Sequence, residues 1–268
     1  KNPEEYDSVK VTIKNKKGKV VDEFSNQQNI GPQEDNTYRV LCLRPKKGFN
    51  EFEWNLRYPG PIHVADDLIP ENGELRRFSG QSSMSLEGPY VEPGDYTAEL
   101  NTENNKISVN FKIIPGVYAK NEKGELEKQT DFLLKVRDKL SEVNHTINSI
   151  RNLKSKLRKD AKIDSDEKNF LLKELDNIDR ELASTAEIEE EQNTIDQNSQ
   201  GKRFGRVTDG AFFADSYNAR LNGLLDTAAN HESQNTKQTE DVYINLEKSI
   251  NNLIDNFNKL KNNYITGK

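Results

Sequence analysis

A chain of 268 residues with 32% hydrophobic and 31% charged residues has room for modest cores under large solvated faces, and its length argues for two domains. A mean hydropathy of -0.94, with no run approaching the ~20 consecutive apolar residues that cross a bilayer, excludes a membrane-spanning helix. The net charge of -6 argues against nucleic acid as a partner, because phosphate binding requires a concentrated basic face.

Up to about residue 116, apolar residues recur at every second position, the spacing that puts side chains on one face of a strand. Val9, Val11 and Ile13 alternate with Lys10, Thr12 and Lys14; Asn15 to Gly18, within the Lys-rich "KNKKGK", reads as a hairpin turn, and "KVVDEF" as the return strand. Cys42, between Leu41 and Leu43, reads as a buried thiol, and a single cysteine permits no internal disulfide. In "GFNEFEWNLRYPG", Phe52, Trp54, Leu56 and Tyr58 share one face of a strand while Glu51, Glu53, Asn55 and Arg57 share the other, which puts Trp54 in a core. The stretch from Pro59 to Gly88 lacks periodicity and is expected as a long loop across one end of the strand domain. Pro93-Gly94 suits a type II turn with positive φ at Gly94, launching a strand with Tyr96, Ala98 and Leu100 on one face. Ile107, Val109, Phe111 and Ile113 repeat the alternation, with Ser108, Asn110 and Lys112 facing out, so residues 1–116 are expected as a small antiparallel sandwich.

Beyond "PGVYAKNEKG" the period changes to three and four. Leu133, Val136, Leu140, Val143, Ile147, Ile150 and Leu157 form the seam of a helix from about Leu126 to Asp160, about 50 Å long at ~1.5 Å per residue. Asp164, with Glu167 three residues on, starts a second helix with the stripe Leu171, Leu175, Ile178 and Leu182. Tyr217, Leu221, Leu224 and Ala228 make a third stripe, and a heptad series from Tyr243 to Tyr264 a fourth. Stripes this narrow must pack together, so residues 117–268 are expected as an antiparallel bundle of about four helices. The polar, Gly-containing stretch near 192–213 is expected as a mobile loop.

"GFNEFEWNLRYPGP" followed by "GPYVEPGDYTAEL" resembles the region after the β-propeller in large secreted bacterial proteins with sortilin-type or BNR repeats, often labelled glycosyl hydrolases. "VEPGDYTAEL" also resembles the Ig-like domain of flagellar hook-capping proteins. "FLLKVRDKLSEVNHTINSIRNLKSKL", "YNARLNGLLDTAA" and "VYINLEKSINNLIDNFNKL" are similar to the C-terminal helices of the propeller family, in the same order. The resemblance implies an α+β protein of two domains, an Ig-like β-sandwich and then a helical bundle, belonging to a longer exported protein whose propeller lies upstream. It also implies a secreted, periplasmic or cell-surface location, with the propeller or an envelope protein as partner. Residues 61–87 depart from the pattern. The start at Lys1, with neither an initiator Met nor a signal peptide, fits a fragment or processed product.

No sequence signature marks a catalytic residue, a metal site or a cofactor. His63, His145 and His231 are scattered and lack zinc-ligand spacing, and nucleophile-elbow, phosphate-loop and dinucleotide motifs are missing. "DSDEKN" at 164–169 lacks the Gly and closing Glu of a calcium loop and reads as a helix cap; "EIEEE" at 187–191 reads as a solvated helix end. The sequon Asn144-His145-Thr146 lies within a helix and is assigned no role. The expectation is a noncatalytic structural or protein-interaction module, with Phe204, Phe212 and Phe213 as candidate partner contacts. A second reading is a carbohydrate-binding module in which Trp54, Tyr58 and Tyr90 stack on sugars. A third is a hydrolase using Glu51, Glu53, Asp66 or Asp67.

Overall fold

The alternation at the start of the chain forms β1 (Val9–Asn15), which turns back into β2 (Val20–Ser25). The expected turn is there: Gly18 takes φ 76°, its N–H donates to Asn15 O at 2.8 Å, and Asn15 Oδ1 accepts from the N–H groups of Lys17 and Lys19. In this computed structural model the described residues are 8–39, 41–65, 70–71, 74–75, 87–116, 124–183, 216–229 and 235–266. They form a mixed α+β fold, with an antiparallel sheet first and four helices after it.

β9 (Gly94–Thr102) and β10 (Lys106–Ile113) join the first hairpin in a four-stranded sheet of order β10-β9-β1-β2. Register aligns side chains in rows across it. Phe24, Val11, Leu100 and Ile107 make one row, Asp22, Ile13, Ala98 and Val109 the next, and Tyr96 beside Phe111 a third. The opposite face is ionic: Lys14 and Lys106 both hold Glu99, at 2.8 and 3.0 Å, and Lys10 holds Glu23 at 2.7 Å. Hydrogen bonds from Lys14 and Lys106 pull the Glu99 carboxyl below its ordinary range.

Three short pairs complete the strands: β3 (Gly31–Pro32) with β4 (Tyr38–Arg39), β5 (Arg57–Pro59) with β8 (Glu87–Tyr90), and β6 (Pro70–Glu71) with β7 (Glu74–Leu75). β5 and β8 approach so closely at Gly88 that a Cβ there would meet the carbonyl oxygens of Tyr58 and Pro59 at 2.3 Å.

Several expectations are corrected. The aromatic stretch is a strand only from Arg57 to Pro59. Leu56 adopts φ 58°, which breaks the alternation and leaves its side chain exposed while Phe52 and Trp54 stay half-buried. Gly94 has no positive φ, because it already pairs with Ile113 in the ladder; the corner is fixed instead by Tyr96 Oη, which donates to Glu92 O at 2.7 Å. Ile107 and Val109 face the apolar side of the sheet but are exposed.

The chain divides into two compact units that interleave along the sequence. The first comprises residues 1–61, 83–137 and 227–236, the second residues 62–82, 138–226 and 237–268. In the first unit, Val9, Ile13, Val21, Phe24, Leu43, Tyr58, Val91 and Tyr96 form the core, with Leu134 of the first helix packed against it. Arg137 of that helix donates to Pro59 O at 2.8 Å, and Gln129 to Ala228 O at 2.8 Å.

The helices are α1 (Glu125–Lys159), α2 (Ser165–Leu182), α3 (Tyr217–Ala229) and α4 (Lys237–Thr266). The α1 seam is buried throughout, as are Leu171, Leu175, Ile178 and Leu182. Asp164 caps α2, its Oδ2 accepting from the N–H groups of Asp166 and Glu167 at 3.0 and 3.4 Å. Arg151 and Lys154 of α1 pair with Asp179 and Asp176 of α2, so these helices run antiparallel. By contrast, Lys139 reaches Asn251 and Tyr264 reaches Asp160, so α4 runs in the same direction as α1 and strict alternation of neighbours fails there.

A further correction concerns the segment after Pro59. Residues 62–65 lie along a polar stripe of α1 in the second unit instead of crossing the end of the strand domain. Ser141 Oγ accepts from Ile62 N at 3.1 Å, and Asn144 donates to Ile62 O at 2.8 Å. Asn148 holds both sides of the segment, donating to His63 O and accepting from Ala65 N, each at 2.9 Å. The Asn144 amide is thus buried and engaged, and the sequon there cannot take a glycan in the folded chain.

Replacing Asn148 by alanine strands two backbone groups of this segment. The expected cost is about 1–3 kcal/mol in urea unfolding, against no change for the exposed Asn152→Ala, and equal stability of both variants would contradict the docking of the segment. His63 in the same segment is 2% exposed, and burial pulls its imidazole down to about 4. The unfolded chain, with an ordinary histidine near 6.5, binds the proton first as pH falls, so stability drops between those values, by about 2 kcal/mol from pH 7 to pH 5. Urea midpoints of the His63→Leu variant should lack this component; an equal pH slope in both proteins would refute it.

Candidate functional site

The apolar face of the four-stranded sheet is only partly covered. Phe52 packs on Phe24 with ring centroids 4.8 Å apart, and Trp54 stands edge-on to Tyr96 and Phe111 at 6.2 and 6.4 Å. Tyr96 and Phe111 stack at 5.8 Å, and Trp54 Nε1 donates to Arg57 O at 3.2 Å, which fixes the indole. Past this cover the rows continue bare: Ile107 is 57% and Val109 61% exposed, with Leu100 beside them.

A groove of about 1010 Å³ lies here, within the first unit. Its floor is Val9, Val11, Ala98, Leu100, Thr102, Ile107 and Val109; its wall is the stretch from Cys42 to Lys46 and from Gly48 to Phe52. Cys42, expected to be buried, is half-buried in that wall. The volume is at the upper end of the ~300–1,000 Å³ typical of ligand pockets. Another cavity of the unit, lined by Asp22, Arg39, Asn55, Tyr58 and Glu87 among others, has only about 20 Å³, enough for a single water. Burial pushes the Asp22 carboxyl there upward despite its 2.7 Å bond from Arg39.

The wall presents one large apolar residue outward. Asn50 fastens the turn around Gly48 (φ 96°): its Oδ1 accepts from Lys46 N at 2.6 Å and its Nδ2 donates to the carbonyls of Lys46 and Gly48 at 2.8 and 2.9 Å. The turn so fixed holds Phe49 91% exposed. Arg44 is anchored to the carbonyls of Gln28 and Leu43, and among the described residues no carboxylate pairs with Arg44, Lys46 or Lys47. Glu51 is the acidic residue of the lining.

The three aromatics of the carbohydrate reading share no exposed face. Trp54 is half-buried, Tyr58 is buried with Oη donating to Glu92 at 3.1 Å, and Tyr90 is 60% exposed with the Arg57 guanidinium 3.7 Å from its ring centre. Burial, reinforced by Glu92, pushes the phenols of Tyr58 and Tyr96 upward. Glu51 and Glu53 are exposed. Phe204, Phe212, Phe213, Asp66 and Asp67 lie outside the described residues. Among the described residues no group of three His, Cys, Asp or Glu suits a metal ion, and no helix is long and apolar enough to cross a membrane. Sequence reading missed Phe49, Ile107 and Val109 as a surface; the signal available was Phe49 itself, an aromatic between Gly48 and Asn50 in a turn.

Comparison with protein-family models, curated proteins and solved structures yields no match.

Because Phe49 and Val109 have little to lose on truncation, Phe49→Ser and Val109→Thr should each alter stability by less than about 0.5 kcal/mol while reducing the fluorescence of a bound apolar dye. Unchanged dye binding, or a large loss of stability, would mean that the groove is closed in solution.

Proposed function

We propose that this chain is a noncatalytic protein-interaction module that engages its partner through the bare half of its sheet. The observation that carries this reading is that Leu100, Ile107, Val109 and Phe49 line one groove and are exposed there, as apolar residues at interaction sites are. We read the strand unit as an Ig-like β-sandwich; the bond from Tyr96 Oη to Glu92 O, four residues upstream, supports this as a tyrosine-corner arrangement. The helices are read as a bundle around the α1 seam. Placement after a propeller in an exported, cell-envelope or secreted bacterial protein rests on the sequence resemblance alone, and Phe204, Phe212 and Phe213 remain proposed further contacts.

A photo-crosslinking residue placed at Phe49 tests the reading in the producing cell's envelope and secreted fractions. One discrete adduct, lost when Val109→Lys is added, is the expected result. Adducts that are diffuse and indifferent to Val109→Lys would remove the groove from the function.

A further inference from the structure

The two outer edges of the four-stranded sheet differ. At β2 the outer side is partly closed: Ser25 O accepts from Leu43 N at 3.3 Å, Ser25 N donates to Gln28 Oε1 at 3.1 Å, and Glu23 N donates to Asp22 Oδ1 at 2.7 Å. β10 has no such closure. Thr102 N donates to Asn105 O at 2.9 Å at the head of the β9–β10 hairpin, and in an antiparallel ladder this direction alternates from residue to residue. The backbone groups of Ile107, Val109, Phe111 and Ile113 therefore face β9, and those of Lys106, Ser108, Asn110 and Lys112 face outward. Among the described residues no strand pairs with that outer side, although β10 has neither a proline nor a register shift to blunt it. Resting on the interaction reading above, we propose that the partner is a second copy of this chain, with the two β10 edges paired antiparallel about a two-fold axis at Asn110.

Hydrogen-bond direction, side-chain pattern and charge together select this arrangement. The outward backbone groups belong to even-numbered residues, so a two-fold pairing matches even positions with even ones, and the apolar odd positions meet on the groove side. An axis at Asn110 sets Ile107 against Ile113 and Val109 against Phe111 of the other copy. An axis at Val109 would set Lys106 against Lys112, and one at Ser108 would match only Ile107 with Val109. With the axis at Asn110 no like charges stand opposite: Ser108 meets Lys112, and Asn110 meets itself. The edge asks for no counter-charge, because Lys106 is already held by Glu99 at 3.0 Å and Lys112 stands across from Asp95 within the sheet.

The same axis joins the bare part of each sheet to the covered part of the other. The row Ile13, Ala98 and Val109 continues into Phe111 and Tyr96 of the second copy, the stacked pair on which Trp54 stands. A two-fold interface needs this self-complementarity, which an unrelated strand would have to reproduce. Because the β2 edge is partly closed, β10 meets β10, and assembly stops at two copies.

Sedimentation equilibrium of the full 268-residue chain tests the proposal through residue 110, whose side chain is exposed and lies outside the groove lining. Urea midpoints check that the variants fold. The chain is expected at twice its 30.7 kDa, and Asn110→Glu and Asn110→Lys are each expected to weaken the dimer by about tenfold or more, because like charges then meet at the axis. An equimolar mixture of these two variants should regain the original association, since glutamate then faces lysine. A dimer indifferent to both substitutions would overturn the β10 edge as its interface. A mixture no tighter than either variant would overturn the axis at Asn110, as would a tighter Asn110→Glu dimer, which would place residue 110 against Lys106 about an axis at Ser108. A chain that stays monomeric while Phe49 crosslinks to one different protein would overturn the second copy and leave the interaction reading standing. A monomer with only diffuse crosslinks would refute both.

Discussion

Trp54, standing edge-on to the stacked Tyr96–Phe111 pair and fastened through its own N–H to Arg57 O, sets the line at which the apolar face of the sheet stops being core and becomes surface. Such aromatic contacts contribute about 0.5–1.5 kcal/mol each beyond their buried area, enough to fix the ring but not to extend the cover. The chain on either side of Trp54 is committed elsewhere: Leu56 turns through a left-handed conformation to reach β8, and the turn around Gly48 is closed by Asn50. Nothing among the described residues is left to lie over Ile107 and Val109. Complete burial of an exposed apolar side chain is worth about 1.5–3 kcal/mol, whereas association costs on the order of 4–15 kcal/mol. Covering a few such side chains therefore gives weak binding by itself.

The second unit depends on a different device. A helix with one apolar seam ordinarily leaves its other faces in water, yet α1 buries Asn144 and Asn148 as well. Residues 62–65 cover that side, and they do so with backbone groups that the asparagine amides satisfy one by one. The arrangement tolerates the asparagines because their amides hold backbone groups of the covering segment. It also places His63 where protonation is unfavourable.

Period and capping chemistry made much of the fold legible. The alternation from Val9 to Ile13, the Asn15–Gly18 turn, the seam from Leu133 to Leu157 and the Asp164 cap are local signals with local causes. What could not be read depends on contacts distant in the chain. Asn148 looks like a solvated helix residue until a segment more than eighty positions earlier is laid across it. Alternation assigned Ile107 and Val109 to the correct face of β10, but it reports the side of a strand and not how far another segment covers that side. Leu56 fits the aromatic stripe by number and leaves it by backbone angle.

The sheet thus has a single apolar face, finished as core at Trp54 and open beyond it, where we propose that a partner docks. The most direct measurement is relaxation of side-chain methyl signals by a soluble gadolinium chelate, which reports solvent access residue by residue. Strong relaxation at Ile107 and Val109, with Ile13 and Val91 protected, is the predicted pattern. Protection of all four would mean that the face is covered throughout and that the groove does not exist in solution.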